Sequence, residues 1–194
     1  RLKQILPLVE KTQSYLILDE SFVDFLGDFF SYRKLCLCHR QVIIVSSLTK
    51  FYAVPGLRIG CSFSTEEIAK KCQEQLIPWH VNGLVQTYMK SALADDAYIQ
   101  RTREYCKTER NRMITDLSAI DSIKVYPGSV NFFLCKLTRK FKSAYELQQA
   151  LWPYKIILRQ CGNYAGLDES YFRIAVKIKE ENLRLVNALR KVLE

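Results

Sequence analysis

The sequence predicts an α/β fold: a mostly parallel sheet, one long helix, and then a smaller C-terminal α+β domain. Two short continuous apolar runs, Tyr15–Leu18 and Val42–Val45, end in Asp19-Glu20 and Ser46-Ser47, as strands buried on both faces of a parallel sheet do. A long amphipathic stretch from about Asp95 to Leu117 then separates them from a segment of shorter strands and helices.

Taken in chain order, Leu2, Ile5, Leu6 and Val9 have helical spacing, with Pro7 interrupting the pattern. The two apolar strands follow, and a third strand is expected over Leu57 to Phe63. Ser64 with Glu67 three residues on reads as a capping box, opening a helix to about Leu76. Pro78 breaks the chain, and residues 82–93 read as another helix. Beyond the long helix, strands are expected at 122–126, 131–137, 155–159 and 171–176, and helices at 143–152 and 179–193. The last helix gathers Leu185, Val186, Leu189, Val192 and Leu193 on one face. The division implied is residues 1–93 as part of a large α/β domain, 94–120 as the connecting helix, and 121–194 as the small α+β domain.

Composition narrows the class of function. The 194 residues are nearly half hydrophobic and a quarter charged, which suits an ordinary globular core. No apolar run reaches the roughly 18 residues of a membrane span, and the first ten residues lack a signal-peptide core, so no membrane partner and a cytoplasmic location are expected. Seven scattered cysteines suit free thiols. Cys36, Cys38 and His39 lie close together, but no second ligand pair follows, so no metal is expected. The net charge is +9. The cations are spread, and the densest cluster, Arg101 to Arg112, alternates with Glu104 and Glu109 as a solvated helix face does. A phosphorylated small molecule, not nucleic acid, is the partner this charge suggests.

Three residues stand out for chemistry. Asp19 ends the first strand, Lys50 follows the second, and Arg58 comes eight residues later, after Pro55-Gly56. Ligands of parallel α/β sheets gather at the carboxyl ends of strands, where Asp19 and Lys50 fall. A pyridoxal site needs a lysine amine to hold the cofactor aldehyde. It needs a carboxylate facing the ring nitrogen. It also needs an arginine and hydroxyls for the phosphate.

Four segments carry a family resemblance in the same order along the chain: LILDESFVDF, SLTKFYAVPGLRIG, PWHVNGLVQ and CGNYAGLDESYFRIAVKIKEEN. Together they resemble the pyridoxal-phosphate-dependent aminotransferase superfamily, nearest its branch of threonine-phosphate decarboxylases and histidinol-phosphate aminotransferases. The resemblance implies pyridoxal 5′-phosphate as cofactor, held by Lys50, with Asp19 on the pyridinium and Ser47, Thr49 and Arg58 on the phosphate. It implies that Arg173 binds the substrate carboxylate, that Arg159 contacts the substrate's own phosphate, and that Asn82 lies near the cleft. A small phosphorylated amino acid as substrate and a homodimeric assembly follow from it. Most like it would be L-threonine-O-3-phosphate decarboxylase, on the route to cobalamin. A histidinol-phosphate-type aminotransferase is the alternative, and a fragment or binding domain without activity is the third reading. Phe22 stands where many relatives have tyrosine, and Lys177 where arginine is common. Relatives also have a preceding half-domain with a Gly-rich loop, a stacking aromatic residue and an asparagine. The chain is accordingly read as the C-terminal portion of such a protein.

Taken singly, each residue has a plainer reading. Asp19-Glu20 could cap a strand, Lys50 could be solvated, and Arg58 could serve an ion pair. Arg159 and Arg173 could bridge to Asp168 or Glu169. His80 suits a loop, and Cys161 suits packing.

Overall fold

The computed structural model describes residues 2–194, and the chain divides into two compact units between Arg103 and Glu104. In the first unit, helix α1 (Leu2–Thr12) runs through Pro7, which costs it one backbone hydrogen bond. Three strands follow: β1 (Leu16–Asp19), β2 (Val42–Ser47) and β3 (Gly60–Phe63), in the order β1-β2-β3. β1 and β2 are parallel, with Asp19 opposite Val45, whereas β3 runs antiparallel to β2. The sheet is therefore mixed. The chain crosses from β1 to β2 through three 3-10 turns, Val23–Phe25, Asp28–Phe30 and Arg33–Leu37, rather than through a helix.

Val42 and Ile44 pack with Cys36, and Leu6, Leu16, Leu18 and Phe63 close around them. Ile17, on the other face of β1, is 63% exposed. Burial of β1 is thus seen on one face among the described residues. The third strand is also shorter than expected, since Pro55–Leu57 form a 3-10 turn and Arg58 takes a left-handed conformation.

Helix α3 (Glu66–Glu74) starts one residue later than a capping box at Ser64 requires. Thr65 is the N-cap, so Glu67 sits too early to reach back, and its carboxylate pairs with Lys71 at 2.8 Å. Helix α4 (Gly83–Leu93) is capped by Asn82. Helix α5 (Asp96–Ser118) then runs from the first unit into the second.

The second unit holds an antiparallel sheet of β4 (Ile123–Tyr126), β5 (Phe132–Leu137), β6 (Arg159–Gln160) and β7 (Tyr171–Ala175), in the order β4-β5-β7-β6. Helices α6 (Ala144–Leu151) and α7 (Lys179–Leu193) supply Leu147, Leu151 and Leu189 to a core with Met113, Phe133 and Phe172. On α7, Val186, Leu189 and Leu193 are buried, with Leu185 and Val192 packed against the same core, as the helical spacing predicts. The strand expected over 155–159 shrinks to two residues, because Lys155 turns left-handed after a 3-10 turn. Gln148 takes over the missing ladder: its amide donates to Ile156 O and accepts from Leu158 N, both at 2.7 Å.

Buried Glu109 of α5 accepts from Arg112 at 2.8 Å and from Asn182 at 3.0 Å. The Arg112 hydrogen bonds hold its carboxyl below the ordinary 4.5 despite burial. A lowered carboxyl value means that this network stabilises the fold above the ordinary value and is lost as pH falls through the lowered one. Urea midpoints are therefore expected to drop as pH falls below 4.5, and Glu109→Gln should flatten that dependence. No helix among the described residues is long and apolar enough to cross a membrane.

Candidate active site

The carboxyl ends of the parallel strands bring three of the expected residues together. β2 ends at Ser47, and the short helix α2 (Leu48–Phe51) begins there and carries Lys50. The exposed Lys50 amine donates to Ser47 Oγ at 2.8 Å, and Ser47 Oγ shares a further 2.8 Å hydrogen bond with Thr49 Oγ1. The same amine stands 5.8 Å from the ring centroid of Phe22, in the segment just beyond β1. Lys50 thus faces the tip of β1, where Asp19 ends the strand.

Asp19 Oδ1 accepts from Ser21 N at 2.8 Å. Hydrogen bonds from Ser21, side chain first and then backbone, lower the Asp19 carboxyl, and the Lys50 charge adds to this against a small burial penalty. The strand tips therefore offer an ionised carboxylate on β1 and, beyond β2, an amine with a pair of hydroxyls.

The loop after Lys50 is strained at two positions. Ala53 and Arg58 have φ of 53° and 50°. Each non-glycine residue in that region costs about 1–2 kcal/mol. Strained residues of this kind gather where a precise backbone path matters. Arg58 NH1 is tied to Pro55 O at 3.0 Å. Two residues on, Gly60 opens β3 and pairs with Ser47. A Cβ at Gly60 would meet Ser46 O at 2.8 Å, closer than real contacts allow. Gly60→Ala is expected to push β3 off β2 and cost about 1–3 kcal/mol, read as a lower denaturant midpoint.

Asn82 is used differently: its Oδ1 accepts from Val85 N at 2.9 Å and caps α4. Cys36 Sγ approaches Phe63 O at 3.1 Å, while His39 Nδ1 lies 2.8 Å from Glu10 Oε1, so the two have separate partners. Among the described residues no cluster could hold a metal ion.

In the second unit, Arg159 on β6 and Arg173 on β7 are directly opposite in register. Arg173 lies over the Phe132 ring at 4.8 Å and Arg159 over the Tyr164 ring at 5.5 Å. Neither forms an ion pair among the described residues. Asp168 instead serves Lys136, at 3.3 Å, and Ser170. Both arginines line a cleft of about 440 Å³ with Lys177, Arg184 and Glu181. Two guanidinium groups opposite in register, each on an aromatic face and in no ion pair among the described residues, suit a ligand with more than one anionic group.

The family described as aminotransferase class I and II matches residues 1–189. The chain belongs to the class I and II aminotransferase family. It is 36% identical over 179 residues to threonine-phosphate decarboxylase from Salmonella typhimurium, covering 92% of this chain and 48% of the relative. Among solved structures, histidinol-phosphate aminotransferase from Clostridium acetobutylicum superposes with a TM-score of 0.92 at 32% identity, over 97% of this chain and 57% of that one. L-threonine-O-3-phosphate decarboxylase from Porphyromonas gingivalis superposes at 0.82 with 27% identity, over 97% of this chain and 58% of the other. The chain spans about half the length of the curated relatives it matches. Aminotransferases of this family work with pyridoxal 5′-phosphate. The donor set at the strand tips fits that group: an amine hydrogen-bonded to a hydroxyl, an ionised carboxylate on the adjacent strand, and hydroxyls with a guanidinium nearby in sequence.

The sequence reading missed the role of Phe22 as a surface beneath the Lys50 amine. It also missed the hydrogen bonds of Ser21 that keep Asp19 ionised. Both residues lie within three positions of Asp19, so the local signal was the Asp19–Phe22 string itself.

Proposed function

We propose that this chain supplies the cofactor lysine, the pyridinium partner and the substrate-anion arginines of a pyridoxal-phosphate-dependent enzyme acting on a phosphorylated amino acid, most like L-threonine-O-3-phosphate decarboxylase. The observation that carries the reading is the Lys50 amine, hydrogen-bonded to Ser47 and turned toward the strand tip that ends in Asp19. When bound, the cofactor supplies an aldehyde for an amine and a ring that accepts electrons from a breaking bond at the substrate's α-carbon.

Each residue has a task that follows from its surroundings. Lys50 would offer the nucleophilic amine and then carry a proton at Nζ. Asp19, held ionised by Ser21, keeps a proton on the ring nitrogen by charge complementarity. Ser47, Thr49 and Arg58 bind the cofactor phosphate. By the family resemblance, Arg173 would bind the substrate carboxylate and Arg159 its phosphate; that the two stand opposite in register supports a pair of anion sites. Holding both anions orients the bonds at the α-carbon, and so selects which one breaks. Asn82 is the further substrate-side residue in this reading, although its side-chain carbonyl is engaged as a helix cap. A cytoplasmic homodimer is the expected assembly.

A histidinol-phosphate-type aminotransferase is the second reading, favoured by the superposition on the Clostridium acetobutylicum enzyme. It uses the same lysine and carboxylate but takes a proton from the α-carbon in place of carbon dioxide. The test is to load the protein with pyridoxal 5′-phosphate, reduce with borohydride and map the labelled peptide. A label on Lys50 is expected, and a label elsewhere or none rejects the proposal. Carbon dioxide released from threonine phosphate favours the first reading, and an aldehyde or keto product from a phosphorylated amine favours the second.

A further inference from the structure

We propose that Arg33, in the crossover between β1 and β2, is a positioning residue that sets Asp19 and Lys50 against each other; its importance for the cofactor rests on the reading above. One guanidinium lies beside the carboxyl ends of β1 and β2 and against the last residue of β3, which pairs with Ile44. Its NH2 donates to Asp24 Oδ1 at 3.0 Å and to Ser46 Oγ at 3.3 Å, and its Nε lies 3.8 Å from Glu20 Oε2. Its plane lies over the Phe63 ring of β3 at 4.8 Å.

The partners are the neighbours of the chemistry. Glu20 follows Asp19 directly, and Ser46 precedes Ser47, which accepts the Lys50 amine. Ser46 Oγ also donates to Glu20 O at 3.4 Å, and Glu20 N to Val45 O at 2.8 Å, so the tips of β1 and β2 are joined around this group.

The carboxylates of the cluster are shielded from water, whereas the Arg33 side chain is 27% exposed. The side chains of Glu20 and Asp24 are 7% and 10% exposed. Glu20 has other donors, the Ser31 hydroxyl at 2.7 Å and the Tyr32 backbone N–H. Asp24 depends on Arg33 for its side chain, and its second oxygen is buried without a partner. One guanidinium nitrogen, Nη2, bonds both Asp24 and Ser46, while Nε is buried without a hydrogen bond and faces Glu20 across 3.8 Å by charge alone. Removing the guanidinium would leave a buried carboxylate uncompensated, and the strand tips would be free to shift to relieve the charge.

The experiment uses the full chain as wild type, Arg33→Lys, Arg33→Gln, and Arg33→Gln with Asp24→Asn. The last variant removes the stranded charge and so separates folding stability from position. The first readout needs no cofactor: the acetylation rate of Lys50 by acetic anhydride, followed by peptide mapping, with and without Asp19→Asn. In wild type, Asp19→Asn is expected to change that rate about twofold through the lost carboxylate field. In Arg33→Gln with Asp24→Asn the ratio is expected to collapse to about one, although the thermal midpoint returns toward wild type. Arg33→Lys should fall between. The second readout is pyridoxal 5′-phosphate affinity by fluorescence titration, expected to weaken about tenfold in the same double variant. If the rate ratio stays at its wild-type value while only the thermal midpoints move, Arg33 is a structural ion-pair partner and the proposal is overturned. If wild type takes up no pyridoxal 5′-phosphate but the rate ratio still collapses, the cofactor reading fails and the positioning role stands.

Discussion

Lys50→Ala is expected to leave a folded protein that traps no cofactor on reduction; under the proposed function, any turnover of threonine phosphate by the wild type would fall about 100- to 10,000-fold. Stability should hardly change. The side chain is exposed, and it touches one hydroxyl, Ser47 Oγ, and the face of Phe22. Surface truncations of that kind fall within about 0.5 kcal/mol. The carboxylate partner should survive as well, because Ser21 does more than Lys50 to keep Asp19 ionised. On the proposed reading, the variant removes the nucleophile and leaves Asp19, Ser47, Thr49 and Arg58 as the groups that would bind the cofactor without a covalent link. Lys50→Arg should lose as much, since guanidinium keeps the charge but not the nucleophilic amine. The measurements are mass mapping after borohydride, turnover, and a thermal melt. Retained turnover, or a label on another lysine, would assign the chemistry to a different amine.

Phe172→Ala is expected to cost the second unit about 3–5 kcal/mol. Phe172 is fully buried on β7, between Cys135 of β5 and Gln160 of β6 in register. It packs in one core with Met113, Leu147 and Leu189 from three helices. Deleting the ring leaves a cavity that a sheet fixed by hydrogen bonds on both sides has little freedom to close. Its neighbour Arg173 points to the opposite face of the same strand, so a loosened β7 also displaces that guanidinium. Denaturant unfolding followed by circular dichroism reads the loss as a lower midpoint. A change under about 1 kcal/mol would mean that the cavity collapses and that β7 is not the centre of this core.

Much of the fold was legible because burial leaves a periodic mark. Val186, Leu189 and Leu193 recur at helical spacing and are buried on α7, and β5 alternates between half-buried and buried residues along its length. Other features left no such mark. The Ser64 capping box failed because a one-residue shift in the helix start moved Glu67 out of reach and gave it Lys71 instead. The apolar run at β1 was legible as a strand, yet Ile17 lies open, because a run cannot record which layers meet it.

At the candidate site, the residues with reactive chemistry could be named from their own order in the chain. Asp19 ends an apolar run, and Lys50 and Arg58 flank a Pro-Gly turn, all local facts. Their relations could not be read the same way. That β3 returns antiparallel, that Arg159 stands beside Arg173, and that Arg33 crosses to both strand tips depend on pairings between distant residues. Local order encodes side-chain chemistry and the period of burial. The choice of partner is made by packing and strand register across the whole unit, where many weak contacts compete and only the folded chain settles which of them form.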